Sequence, residues 1–442
     1  MNALRGRTVR TRRRLLRGAS LGVGTGIVAG CARGAGPDAA PSSGASPAAI
    51  TFLGRESGSE VEVYKQGIER FHGAQARVRV THELATGNFD QKLQAVVAAG
   101  TPPDAHYMHS QTVATYAAMR VPASLDAFAR KDRTTLDALL PAAIEAYRFR
   151  GAVYGIPDVA TSYVLYVSRQ LFARAGVPVP AEKWSWAEYQ TAAQHLVNAL
   201  RADQVFATAN FTADDSWPAA LWQHGADILS QDRSTVTVDR PEAVEAFAWI
   251  ADQITKTRVH AAPADLGGRT AEQFFLDGKA AMLPTYSSRM GNIARAAQFE
   301  VEVVHLPQDK QRVTRTACGG VAMAQATRAP EAAWEFLKFV AGEDFQWSMA
   351  RTGGIIFPAH KKVVAAPELF AGGQFPASPK VAVDAMAYAR TEPYVPRYVE
   401  IKGALVKELS TVWSGESAVA DATVRAKGAM APILAEALAQ IK

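Results

Sequence analysis

His106 and His109 stand three residues apart, a spacing that could begin a metal site. No cysteine or carboxylate completes a ligand set around them, so no metal is expected. Asp214 and Asp215 are both acids, but neighbours in sequence point apart and do not make the facing pair that glycoside hydrolysis needs. The chain has 2 cysteines. Cys318 could serve as a nucleophile, but beside Gly319-Gly320 it reads as a small buried residue. H-E-x-x-H, G-x-S-x-G, the P-loop and the dinucleotide fingerprint are all missing from the sequence. Neither an enzyme nor a bound cofactor is expected.

Charge narrows the partners. The 442 residues carry 48 Lys+Arg and 42 Asp+Glu, a net charge of +6. Seven of the arginines (Arg5, Arg7, Arg10, Arg12, Arg13, Arg14, Arg17) fall within residues 1–30, where there is no acid. From Cys31 onward 41 basic residues face 42 acidic ones, a net charge of −1. The remainder has no basic surplus for nucleic acid or for an anionic membrane. A hydrophobic content of 48% excludes wholesale disorder, and 2 cysteines exclude a disulfide scaffold.

The leader itself is organised. Thr11-Arg12-Arg13-Arg14-Leu15-Leu16 resembles the twin-arginine export motif. The apolar, glycine-rich stretch that follows, residues 18–30, has the length of a signal peptide core and is too short to span a bilayer. It ends in Val28-Ala29-Gly30-Cys31, which resembles a bacterial lipobox, with Cys31 as the thiol that receives lipid. Residues 1–30 are therefore expected to be a removed signal. Residues 31–48, rich in Ala, Gly, Pro and Ser, are expected to be a flexible tether to the membrane.

The elements that must position any site begin at Ile50-Thr51-Phe52-Leu53, a strand broken by Gly54. Val61, Tyr64, Ile68 and Phe71 recur at helical spacing behind Ser59, a candidate cap. Val78-Arg79-Val80 reads as a strand, and Leu93, Val96 and Val97 as a helix stopping at Gly100. Strand, helix, strand, helix predicts an α/β fold with a largely parallel sheet. Its ligand crevice should lie beyond the carboxyl ends of the strands, at residues 54–59, 81–89 and 107–111. Ser185 and Glu188 are spaced as a capping box. Val244, Phe247, Ala251 and Ile254, then Phe336, Leu337 and Val340, then Leu405, Leu409 and Val412 mark further helices.

Six segments, in order, make the chain resemble the sugar-binding family (family 1) of extracellular solute-binding proteins of bacterial ABC importers. They are Gly100-Thr101-Pro102-Pro103-Asp104, Val153-Tyr154-Gly155-Ile156-Pro157, and Leu165-Tyr166 with Leu171-Phe172-Ala173-Arg174-Ala175-Gly176. Trp184-Ser185-Trp186-Ala187-Glu188, Phe275-Leu276-Asp277-Gly278-Lys279-Ala280-Ala281-Met282 and Ala332-Ala333-Trp334-Glu335-Phe336-Leu337-Lys338-Phe339 complete the set. The resemblance implies a two-lobe periplasmic-binding-protein fold (type II-like) with about three crossings. Lobe 1 would take residues 49–157 and 317–350, and lobe 2 residues 158–316 and 351–442. Hinges would lie near Pro157 and Gly353-Gly354.

The resemblance also implies a monomer that takes a carbohydrate between its lobes, passes it to permease subunits, and stays at the membrane by its lipid anchor. A sugar site needs groups that accept and donate in pairs, with aromatics for the ring. The candidates are Glu56, Asn88, Asp90, Tyr107, His109, Ser110, Asp158, Ser162, Trp222, Tyr286, Arg289, Gly319, Gly320, Arg351 and Tyr394. Leu53 and Ser288 stand where the family commonly has tryptophans. An anionic or amino solute, such as glycerol phosphate or a polyamine, is the alternative ligand, and a crevice rich in arginine would favour the anionic one. An extracytoplasmic carbohydrate-active enzyme is the alternative from another class.

Overall fold

Eleven strands are found among the described residues of the computed structural model, which are 46–56, 60–351, 357–371 and 376–441. They are β1 (Ala48–Arg55), β2 (Val78–Ala85), β3 (Ala105–Tyr107), β4 (Arg148–Phe149), β5 (Ala152–Val153) and β6 (Ile156–Ser168). After them come β7 (Phe206–Thr208), β8 (Ala280–Tyr286), β9 (Val301–Val304), β10 (Thr314–Met323) and β11 (Ala389–Arg390). The expected strand at Ile50 and the helix after it are present. In the helix Glu60–Ala74, Val63, Tyr64, Gly67, Ile68 and Phe71 form the buried face. Ser59, its expected cap, lies outside the described residues, as do Cys31 and the whole leader. Asn88 caps the helix Phe89–Ala98, accepting a bond from the Gln91 amide. The Ser185–Glu188 capping box forms as expected at the helix Trp186–Ala199.

β1 pairs in parallel with β2 and β3, as helical crossovers require. The sheet as a whole is mixed rather than largely parallel, because β10 runs antiparallel to both neighbours, β3 and β6. β10 comes from more than 200 residues beyond β3 in the chain, so no short crossover fixes its direction. The main strand order is β2-β1-β3-β10-β6-β8-β7, with β9 on β6 and β11 on β10. The first residues of β6 pair beside the β1–β3 half, and its last residues pair with β8 and β9. Two long strands therefore serve both halves, and Ser46–Lys442 forms one unit.

The shared strands are irregular where they cross. Gly319 pairs with Val159 and Gly320 with Pro157, so Asp158 is an extra residue in a β-bulge. A bulge bends its strand and re-aims a side chain. Pro157 lacks the N–H that a regular ladder would use there. Of the expected hinge residues, Pro157 lies at this crossing, whereas Gly353 and Gly354 lie outside the described residues.

The helices Tyr398–Trp413 and Val419–Ala439 close the chain, the first burying Ile401, Leu405, Leu409 and Val412. Among the described residues, no helix is long and apolar enough to cross a membrane.

Candidate functional site

β1 ends at Arg55, β3 at Tyr107 and β8 at Tyr286, and these three ends open onto one cavity of about 840 Å³. The β6 bulge contributes Asp158, and the facing stretch of β10 contributes Arg315, Cys318 and Gly319. Glu60, His109, Asp215, Ser288, Arg289 and Asn292 complete much of the polar wall. The volume falls in the range of small-molecule sites.

Asp158 is 1% exposed, and Tyr64 donates its hydroxyl hydrogen to Oδ2. Its other oxygen, Oδ1, makes no hydrogen bond among the described residues. Burial raises its pKa to about 6, although the Tyr64 bond and the Arg55 charge both oppose that shift. Gly319 lies beneath it: a Cβ there would stand 3.0 Å from the Tyr107 hydroxyl and 3.3 Å from Asp158 Oδ1. His109 is pushed down to about 4, first by burial and then by the charges of Arg315 and Arg55. It is therefore neutral at pH 7, its Nδ1 accepting from the Gln111 amide. Burial pushes the Cys318 thiol up to about 12, which keeps it protonated and inert.

Three arginines of the cavity have carboxylate partners. Arg55 pairs with Glu60, and Arg289 forks onto Glu272 with two bonds of 2.7 Å. Arg315 is 2% exposed and meets both Asp215 at 2.8 Å and Glu392 at 2.5 Å. Behind it, Glu392 also accepts from Lys402 and Tyr398. Burial alone would raise the Glu392 pKa, but Arg315 and Lys402 outweigh it and hold the carboxyl below its ordinary value. Arg295 also lines the cavity and bonds Asn292 at 2.6 Å.

Of the residues expected from sequence, Tyr107, His109, Asp158, Tyr286, Arg289 and Gly319 meet in this cavity. The others are placed elsewhere. Glu56 accepts from the Gly87 amide on the surface, and Asn88 serves as a helix cap. Asp90 accepts from the Tyr116 hydroxyl. Ser110 is buried and accepts from the Cys318 amide, while Ser162 donates to the Ala382 carbonyl. Trp222 is fully buried under Arg390, its indole N–H bonded to Asp227, and borders a separate cavity of about 740 Å³. Gly320 makes room for the fold: a Cβ would meet the Ile156 carbonyl at 2.3 Å. Arg351 is exposed and lies over Trp347, and Tyr394 is buried against Tyr398.

Sequence reasoning missed Arg55, Glu60, Asp215 and Arg315 as members of the site. Arg55 lies within the crevice loop at residues 54–59, where Glu56 was the expected ligand, and Glu60 lies one residue past it at the start of a helix pattern. Nothing in the local sequence marks Arg315, because its partners Asp215 and Glu392 are 100 and 77 residues away.

Residues 67–377 match the model of the bacterial extracellular solute-binding proteins. Among solved structures, the chain is similar to an ABC substrate-binding protein of Listeria monocytogenes in complex with cycloalternan. The identity is 24%, the TM-score 0.77, and the match covers 88% of this chain and 99% of that one. It is also similar to UgpB of Mycobacterium tuberculosis in complex with glycerophosphocholine, at 18% identity and TM-score 0.74, over 89% and 100% of the two chains. A lipoprotein encoded upstream of oleD in Streptomyces antibioticus is 30% identical over 194 residues, 39% of this chain and 42% of that one. The fold is the two-lobe fold of periplasmic solute-binding proteins. With a family match over most of its length, the chain belongs to the bacterial extracellular solute-binding proteins.

Proposed function

We propose that this protein is the membrane-anchored receptor of an ABC importer that captures a sugar or oligosaccharide in the cleft and delivers it to the permease. The observation that carries this reading is the cavity at the β6–β10 crossing, where guanidinium–carboxylate pairs offer donors and acceptors side by side. A sugar hydroxyl both donates and accepts, so such pairs match it without requiring net ligand charge. Two neighbours in fold support the same ligand class or a phosphate-bearing alternative: one holds cycloalternan, the other the zwitterion glycerophosphocholine. The arginines recommend the anionic solute as second reading, but the carboxylates beside Arg55, Arg289 and Arg315 neutralise much of their charge.

In this reading, residues 49–157 with 317–350 and residues 158–316 with 351–442 are the two lobes. They close by bending at the Asp158 bulge, and the permease reads the closed state by population shift. Twin-arginine export and lipidation at Cys31 place the monomer outside the cytoplasmic membrane. Calorimetric titration of the full chain against saccharides and glycerol phosphate tests the ligand. A saccharide at 100 times its Kd should stabilise the protein by about 2.7 kcal/mol. No response to any saccharide would reject the reading. Cys31→Ser should move the protein from the membrane fraction to the soluble one, and unchanged fractionation would reject the anchor.

A further inference from the structure

The reading of the cavity as a solute site is the basis for a finer one, about which features of a solute it can grip. Beside the His109 imidazole, two tyrosines supply the larger aromatic rings in the lining, Tyr107 and Tyr286. Arg55 lies 4.7 Å from the centroid of Tyr107, and Phe89 meets that ring at 87°. Arg315 lies 5.4 Å from the centroid of Tyr286, and Tyr163 meets that ring at 82°. Each ring is thus engaged by a guanidinium and by a second aromatic. The guanidinium over each ring leaves less of it for a sugar to stack on. Ser288, also in the lining, has no ring to offer.

The polar side of the lining is in the opposite condition. Asp158 Oδ1, Arg55 Nε and Arg315 Nη1 are buried atoms that make no aligned hydrogen bond among the described residues, although Arg315 Nη1 has the charge of Asp215 nearby. Buried polar atoms are rarely left this way, since each forfeits its bond to water without replacement. A ligand that satisfies all three must donate once and accept twice. Gly319 removes the side chain that would otherwise crowd the Tyr107 hydroxyl and Asp158 Oδ1.

We propose that the cleft selects a polyhydroxylated solute gripped through its hydroxyls, the class of the alditols and monosaccharides, in preference to α-glucan chains bound by ring stacking. Asp158 accepts from one ligand hydroxyl, while Arg55 and Arg315 donate to neighbouring oxygens.

The full chain should be titrated calorimetrically with sorbitol, mannitol, glucose, galactose, mannose, maltotetraose and glycerol 3-phosphate. At least one alditol or monosaccharide should bind tenfold or more tightly than maltotetraose. For that ligand Asp158→Asn should cost about tenfold or more in affinity. Tyr107→Phe, which keeps the ring and its Arg55 contact, should cost several-fold. Ser288→Trp should improve maltotetraose binding alone. Tightest binding of maltotetraose, or an affinity indifferent to both Asp158→Asn and Tyr107→Phe, would overturn the hydroxyl grip while leaving the importer reading intact. Tightest binding of glycerol 3-phosphate would overturn it in favour of an anionic solute. Silence from every compound would remove the saccharide reading beneath it.

Discussion

Asp158 titrates near pH 6 because burial disfavours its charged form, whereas an aspartate in the unfolded chain titrates near 3.8. Between those values the folded state holds the extra proton. The contribution of Asp158 to stability is therefore full below about pH 4 and is lost as the pH rises through 6, by roughly 3 kcal/mol. His106 and His260 act in the opposite sense. Both are fully buried and pushed down to about 4, so their contribution is full above pH 6.5 and is lost as the pH falls through 4. The two histidines outweigh the one acid, and overall stability should rise from pH 4 to pH 6.5. Asp158→Asn should steepen that rise, which urea unfolding at several pH values would reveal; an unchanged slope would show that Asp158 titrates normally. The candidacy of Asp158 was legible from its place after Tyr154-Gly155-Ile156-Pro157. Its raised pKa was not, since that comes from burial by the packed fold, against which Tyr64 and Arg55, about 100 residues upstream, only partly hold the charge.

At the scale of elements, the β6–β10 crossing separates two glycines that look alike in sequence. A Cβ at Gly320 would stand 2.3 Å from the Ile156 carbonyl and 2.6 Å from the Tyr147 hydroxyl, inside the sheet. Gly320→Ala should therefore destabilise the fold by about 1–3 kcal/mol, read as a lower urea midpoint. At Gly319 the nearest atoms are side-chain oxygens on the cavity wall, 3.0 and 3.3 Å away. Gly319→Ala should weaken ligand binding while moving the midpoint less than Gly320→Ala does. Equal effects of the two substitutions on stability would contradict this division. Helix starts needed no such tertiary information. The Ser185–Glu188 box formed where spacing put it, because a cap satisfies amides within its own first turn. The direction of β10 could not be read that way, since both of its partners in the main sheet are remote in sequence.

At the scale of the whole molecule, Arg315 joins the cavity to the helix Tyr398–Trp413 through Glu392, which also holds Lys402 and Tyr398. Glu392 is 1% exposed, and without it two buried cations would lose their shared partner. Glu392→Ala should cost about 3–5 kcal/mol, measured by chemical denaturation. A negligible loss would mean that Asp215 alone compensates Arg315.

The sequence by itself determined the positions of the leader arginines, the alternation of strand and helix, the caps and the order of family-like segments. Each is a property of nearby residues, fixed by periodicity, local hydrogen bonding or charge composition. Only the tertiary structure decided which polar residues share a cavity. Tyr107, Asp158 and Tyr286 meet there, whereas Glu56, Ser162 and Trp222 are engaged elsewhere. It also decided that Arg55, Asp215 and Arg315 join them. The physical reason is range: a carboxylate pairs with whichever guanidinium the sheet brings within about 3 Å, and the sheet is assembled from strands hundreds of residues apart.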